Sequence, residues 1–179
     1  MRSRELKVGG KLLTVNLSRD HEDRYLGNNG GGTVNVHDQI HSIWRDLLQE
    51  NLITEAEYKR GTIQNFYKSP EEFTLPLTNK ASEAYKNGLR LLKERTVYVE
   101  CPYKEKWKNN KDTEEFSIGL METIRSWSRH SFDAALEKNY EREANPTDIL
   151  FNRLTSLISS DPENWSLDYV EHHLMMEKV

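Results

Sequence analysis

The chain has a single cysteine, Cys101. One thiol excludes an internal disulfide, and a cysteine-based zinc site needs more. A reducing compartment, and hence a cytoplasmic location, is the simple expectation. No apolar run reaches the ~18 residues that a membrane span needs, and MRSRELKVGG has no apolar stretch after its charges, unlike a signal peptide. No basic patch is dense enough to track a phosphate backbone, and the net charge is −4, so a nucleic-acid partner is not expected. The glycine-rich loop at residues 18–35 has Gly27 and Gly30 to Gly32. It lacks the Lys-Ser/Thr ending of a P-loop and the strand-to-helix setting of a dinucleotide turn. Catalytic triads and paired acids at motif spacing are missing too.

What is present is a polar chain of 179 residues, 30% charged and 36% hydrophobic, with its apolar residues spread throughout. That is a globular composition rather than a disordered one. Leu12, Leu13, Val15 and Leu17 follow a Gly9-Gly10 turn. Such a run predicts a strand covered on both faces, as in a parallel sheet. Val36, Ile40, Ile43, Trp44, Leu47 and Leu48 then fall on one helical face. Thr54 with Glu57 forms a capping-box pattern, and Ser69-Pro70-Glu71-Glu72 has the cap, proline and acids of a helix start. The last part of Gly88–Val99 reads as a strand and Lys104–Lys111 as a solvated loop. Asp112 with Glu115 opens the longest helix, to about Glu137. Thr147 caps another, and LDYVEHHLMMEKV fits either a strand or a helix. The order of elements predicts an α/β fold with a large helical insertion.

Two histidine patterns carry metal or surface readings. His37 and His41 lie one turn apart, as in zinc helices, but no third ligand has motif spacing. His172-His173 read as a surface pair.

RSRELKVGGKLLTVNLSRD resembles a late strand of class I methyltransferases, entered through a Lys-x-Gly-Gly turn. Ile43-Trp44-Arg45-Asp46-Leu47-Leu48 leads through Glu50, Leu52-Ile53 and Glu55 to an aromatic segment and Ser69-Pro70-x-Glu72. This order resembles the S-adenosylmethionine-dependent carboxyl methyltransferases, which include the plant salicylate, benzoate and jasmonate enzymes and bacterial relatives. A departure lies at Arg125, followed here by Ser-Trp-Ser-Arg-His where the plant enzymes carry an acid-Pro pair.

The resemblance implies the C-terminal part of a class I, Rossmann-like methyltransferase sheet with an α-helical cap. Residues 1–20 would supply the end of a late core helix and a strand, 36–87 the cap, and 88–179 the remaining strands and helices. It implies methyl transfer to the carboxylate of a small organic acid. S-adenosylmethionine would be bound mainly by an N-terminal half that this chain lacks. Ile43, Trp44, Phe66, Tyr67, Ile124 and Trp127 correspond to the family's substrate pocket. For Trp44, Ile124 and Trp127, helical periodicity alone favours core packing. The expected partners are the acid substrate and either a second copy or a companion chain. The rival reading is a non-catalytic helical module that pairs with another chain.

Overall fold

A computed structural model describes residues 2–63, 65–138 and 142–179. Its elements are β1 (Lys11–Ser18), α1 (Val36–Gln49), α2 (Glu55–Arg60), α3 (Pro70–Thr78), α4 (Glu83–Lys86), β2 (Leu89–Val99), α5 (Pro102–Asn110), α6 (Thr113–Ala135), α7 (Pro146–Ser160) and β3 (Tyr169–Lys178). The class is mixed α/β, with one three-stranded sheet. The chain divides into two compact units. Residues 1–25, 66–99 and 168–179 form the sheet unit, and residues 26–65 and 100–167 the helical unit. The division cuts across the expected cap at 36–87, because α3 and α4 belong with the strands.

In the sheet unit the order is β1-β3-β2, with β3 antiparallel to both neighbours. β1 and β2 therefore run in the same direction. The ambiguous C-terminal segment is a strand because its alternation is real: Val170, His172, Leu174 and Met176 are buried, with Tyr169, Glu171 and His173 less so. Leu77, Leu89, Leu174 and Met176 form the core, packed by Leu12 and by Phe73 of α3. Ser69 caps α3 as expected, with a reciprocal Ser69–Glu72 box and Pro70 in the first turn. The expected glycine turn also forms, with Gly9 at φ 79° and Gly10 N donating to Lys7 O at 2.8 Å.

The apolar run in β1 predicts cover on both faces, and only one face is covered. Leu13, Val15 and Leu17 are 60%, 53% and 53% exposed. Across the sheet they continue into half-buried His173 and Glu171 and into Arg95, which donates to His173 Nδ1 at 3.2 Å.

The helical unit has a separate core that includes Trp44, Leu47, Leu120, Ile124, Phe132 and Leu154. Helix α6 packs on α7 and α5, and α1 on α7. Lys104–Lys111, expected as a solvated loop, lies largely in helix α5. Pro102 occupies the first turn, and Trp107 and the Lys104 stem are buried. The Lys104 ammonium donates to the carbonyls of Pro162 and Glu163, both at 2.6 Å. Burial outweighs the nearby charge of Glu163 and lowers its pKa. Helix α7 begins two residues earlier than expected, capped by Asn145 instead of Thr147. No helix among the described residues is long and apolar enough to cross a membrane.

Glu57 ties the helical unit together. It is fully buried and closes the Thr54 capping box. It also accepts from Glu137 N at 2.8 Å and pairs with Arg142. Burial alone would raise its pKa, but these donors and the arginine outweigh it and hold the pKa low. A lowered folded pKa stabilises the fold fully above the ordinary glutamate range and is lost as pH falls through the folded value, below about pH 4. Removing one partner of a buried pair costs about 3 kcal/mol. Glu57→Ala is therefore expected to cost about 3 kcal/mol by urea unfolding at pH 7. The gap between variant and wild type should narrow below pH 4, and a pH-independent gap would remove the ionic explanation.

Candidate functional site

β1 and β2 run in the same direction on either side of β3, so their carboxyl ends lie at the same end of the sheet. Those ends are Ser18 of β1 and Val99 of β2. Ser18 is buried and donates to Lys68 O at 2.8 Å. This links the end of β1 to the segment carrying Phe66 and Tyr67. Two residues further on, Asp20 is 2% exposed. Its carboxylate accepts from the backbone N–H groups of Glu22 and Arg24 at 2.9 and 3.0 Å. It also accepts from Arg24 Nε at 2.9 Å and from the Tyr98 hydroxyl of β2 at 3.4 Å. Burial pushes the Asp20 pKa up, but the Arg24 and Glu22 donors outweigh it and leave the pKa lowered. Asp20 thus folds the loop after β1 back on itself and joins it to the end of β2.

That loop presents Tyr25, whose ring stacks on Tyr67 at 4.8 Å and 20°. Burial, with a smaller contribution from Tyr25, raises the Tyr67 pKa, so the phenol stays neutral. Neighbouring Phe66 is 77% exposed. The strand ends therefore carry an aromatic platform held by a buried carboxylate.

The remaining candidates belong to the helical unit. Ile43, Trp44 and Ile124 are at most 5% exposed. They are core residues, as the helical periodicity of Trp44 and Ile124 favoured. The Trp44 ring packs against Phe132 at 4.8 Å and donates to Tyr58 O at 3.3 Å. Gly61 lies directly on the Trp44 indole, and a Cβ there would collide with the ring. Trp127 is half-buried and meets His37 edge-on at 5.5 Å. A small cavity of about 60 Å³ opens beside them, lined by His37, His41, Thr62, Ile63 and Phe132 among others. That space suits one or two waters rather than an organic acid.

His37 and His41 do lie together, but their ring nitrogens meet neutral groups. Asn65 Nδ2 is 3.2 Å from His37 Nε2, and the Tyr58 hydroxyl is 3.3 Å from His41 Nε2. Burial outweighs the charge of Asp38 and lowers the His37 pKa. Among the described residues no group of three or more His, Cys, Asp or Glu side chains is placed to hold a metal. His172 and His173 do not form a surface pair. The strand alternation buries His172 against Phe73, with Glu94 Oε2 at 3.1 Å from its Nε2.

The glycine loop is not shaped for a phosphate. A Cβ at Gly27 would meet Val34 O at 2.7 Å and Ser166 O at 2.9 Å, and one at Gly32 would meet Asn164 O at 2.6 Å. These glycines let the loop lie on the 164–166 backbone. With these two glycines packed on that backbone, this loop does not fit the role of a nucleotide-cofactor loop. Asp20 and Arg24 were not singled out by sequence, because an Asp in a polar loop has no motif until its four donors are seen. Compared with protein-family models and with curated proteins, the chain matches none.

Asp20→Asn keeps the shape of the side chain and loses the charge opposite Arg24. It is expected to cost about 2 kcal/mol and to loosen the Tyr25–Tyr67 stack. Tyrosine near-UV circular dichroism should weaken while far-UV ellipticity holds. An unchanged near-UV spectrum would separate the platform from Asp20.

Proposed function

We propose that this chain supplies the closing strands and helical cap of an S-adenosylmethionine-dependent carboxyl methyltransferase acting on a small organic acid. The observation that carries this reading, beside the resemblance of its motifs, is the asymmetry of the two sheet edges. The β2 edge is blunted by Lys93, Glu94 and Arg95 and by an irregularity between Leu91 and Lys93, the usual protection of a strand that ends a sheet. β1 carries no charge between Lys11 and Arg19, and its outer edge is bridged among the described residues at Ser18 alone, by Lys68. Three exposed aliphatic side chains lie on its open face. Burying them is worth about 4 kcal/mol. A strand of this kind belongs inside a larger sheet. In this proposal further strands continue from β1 and bear the cofactor, since the glycine loop of this chain does not fit that task.

The chain's own contribution is enclosure and orientation. A carboxylate nucleophile is already ionised at neutral pH and needs no strong base. The work left is to hold it in line with the methyl group and to keep water out. The Tyr25–Tyr67 platform at the strand ends and the closely packed helical unit suit that work. The absence of an acid–base pair at motif spacing is consistent with it. The rival, a non-catalytic helical module, draws on one fact: residues 26–65 and 100–167 form a unit with a complete core.

Calorimetry with S-adenosylmethionine tests the division of labour. The 179-residue chain alone is expected to show no saturable binding. Mixed with the cofactor-binding half of a carboxyl methyltransferase, it should restore transfer of labelled methyl to a panel of small acids. The triple variant Leu13→Lys, Val15→Lys, Leu17→Lys should abolish that restoration and leave the helical unit folded. Micromolar cofactor binding by the chain alone would overturn the proposal. Pairing with that half without any methyl transfer would favour the non-catalytic module.

A further inference from the structure

A second cleft of the helical unit lies apart from the candidate-site residues described above. It has a volume of about 550 Å³ and opens between α5 and α6. Its α6 wall carries Glu114, Ile118 and Glu122, spaced four residues apart and so on one helical stripe. Its α5 wall carries Tyr103, whose hydroxyl is 2.9 Å from Thr123 Oγ1. The tyrosine ring packs against Gly119, where a Cβ would stand 2.7 Å from two ring carbons. A glycine inside a helix costs about 1 kcal/mol relative to alanine. Here it sets the depth of the cleft.

The electrostatics are one-sided. Asp112, Glu114, Glu115 and Glu122 line the cleft against one ammonium, Lys106. Two of the acids have structural work to do: Asp112 caps α6, and Glu115 pairs with Lys106 and Asn110. The positive end of α6 accounts for Glu114, which sits in its first turn. It does not account for Glu122, because that field fades within one turn. Glu114 and Glu122 are exposed and have no ion pair among the described residues. They stand about 12 Å apart along the helix, with Ile118, 47% exposed, midway between them. No group of three or more metal-ligating side chains converges among the described residues, which disfavours a divalent ion. The Trp107 ring already carries the ammonium groups of Lys104 and Lys111 at 4.8 and 4.0 Å, so Tyr103 is the aromatic surface left for a ligand.

We propose that this cleft docks a basic amphipathic helix of a partner protein, with two cationic side chains flanking one aliphatic side chain at i, i+4 and i+8. The cations would meet Glu114 and Glu122, and the aliphatic group would fill the space between Ile118 and Tyr103. The spacing matches turn for turn, since both elements rise equally per residue. The proposal stands apart from the methyltransferase reading.

The test is fluorescence anisotropy of the full chain with a labelled helical peptide bearing Lys, Leu and Lys at those positions. Binding is expected near 10–100 μM at low salt and about tenfold weaker in 0.5 M NaCl, where exposed charges are screened. Glu114→Gln with Glu122→Gln should weaken it at least about fivefold. The fold should persist, because both carboxylates are exposed. Replacing the peptide leucine with alanine should weaken binding by about fivefold, equivalent to about 1 kcal/mol of apolar burial. No binding, or binding unaltered by salt or by the double variant, would overturn the proposal. Equal binding of the alanine peptide would also overturn it, by reducing the cleft to a site for simple cations. Self-association of the chain that the double variant abolishes would overturn it by giving the cleft to a second copy.

Discussion

The sheet depends on its last strand. β3 lies between β1 and β2, and the residues it pairs are far apart in sequence: Glu177 faces Lys11 on one side and Arg90 on the other. β1 and β2 make no ladder with each other, so neither has a sheet partner until the C-terminus arrives. Closing loops of this length costs entropy that grows slowly with length but must be met before any pairing is gained. The helical unit faces no such delay within α5 to α7, whose contacts are mostly between neighbours in sequence. The chain passes between the two units four times, so the sheet unit assembles from three separated segments.

That constraint also explains which parts were legible in the sequence. Caps and periodicity are local, and the structure shows them as expected: the boxes at Thr54–Glu57 and Ser69–Glu72, the Asp112 cap, and the face of α1. The signals that failed concern what lies across space. Leu12 to Leu17 reads as a strand buried twice over, because a run of apolar residues does not say how many layers cover it. Helix α5 was hidden by its lysines. Lys104 buries its stem and delivers its ammonium to two carbonyls, which no pattern of charge distinguishes from a solvated face. His172 looked like half of a surface pair, until the strand alternation turned it inward.

The candidate site shows the same division. Tyr67 enters the sequence reading only through the family resemblance, beside Phe66. Its partner Tyr25 and the anchor Asp20 do not enter it, because they meet Tyr67 and Tyr98 through tertiary structure alone. Trp44 and Ile124 stood between pocket and core, and their burial, with the indole N–H satisfied by a backbone carbonyl, gives them the core role.

The two edges of the sheet sharpen the functional argument. β2 carries Lys93, Glu94 and Arg95 in its middle and an irregularity beside them, whereas β1 has no charge between Lys11 and Arg19. An isolated two-layer unit exposing Leu13, Val15 and Leu17 beside an unguarded edge would invite indiscriminate pairing. The arrangement is economical if β1 is an interior strand, because guarding charges would then be buried and costly. It is wasteful if β1 ends the sheet. The same logic reads the exposed Ile118 differently. It is framed by Glu114 and Glu122, one helical turn away on each side. In the two proposals, the apolar exposure on β1 is met by continuous polypeptide and that at α6 by a single cation-flanked side chain. The two surfaces differ in chemistry and need not share a partner.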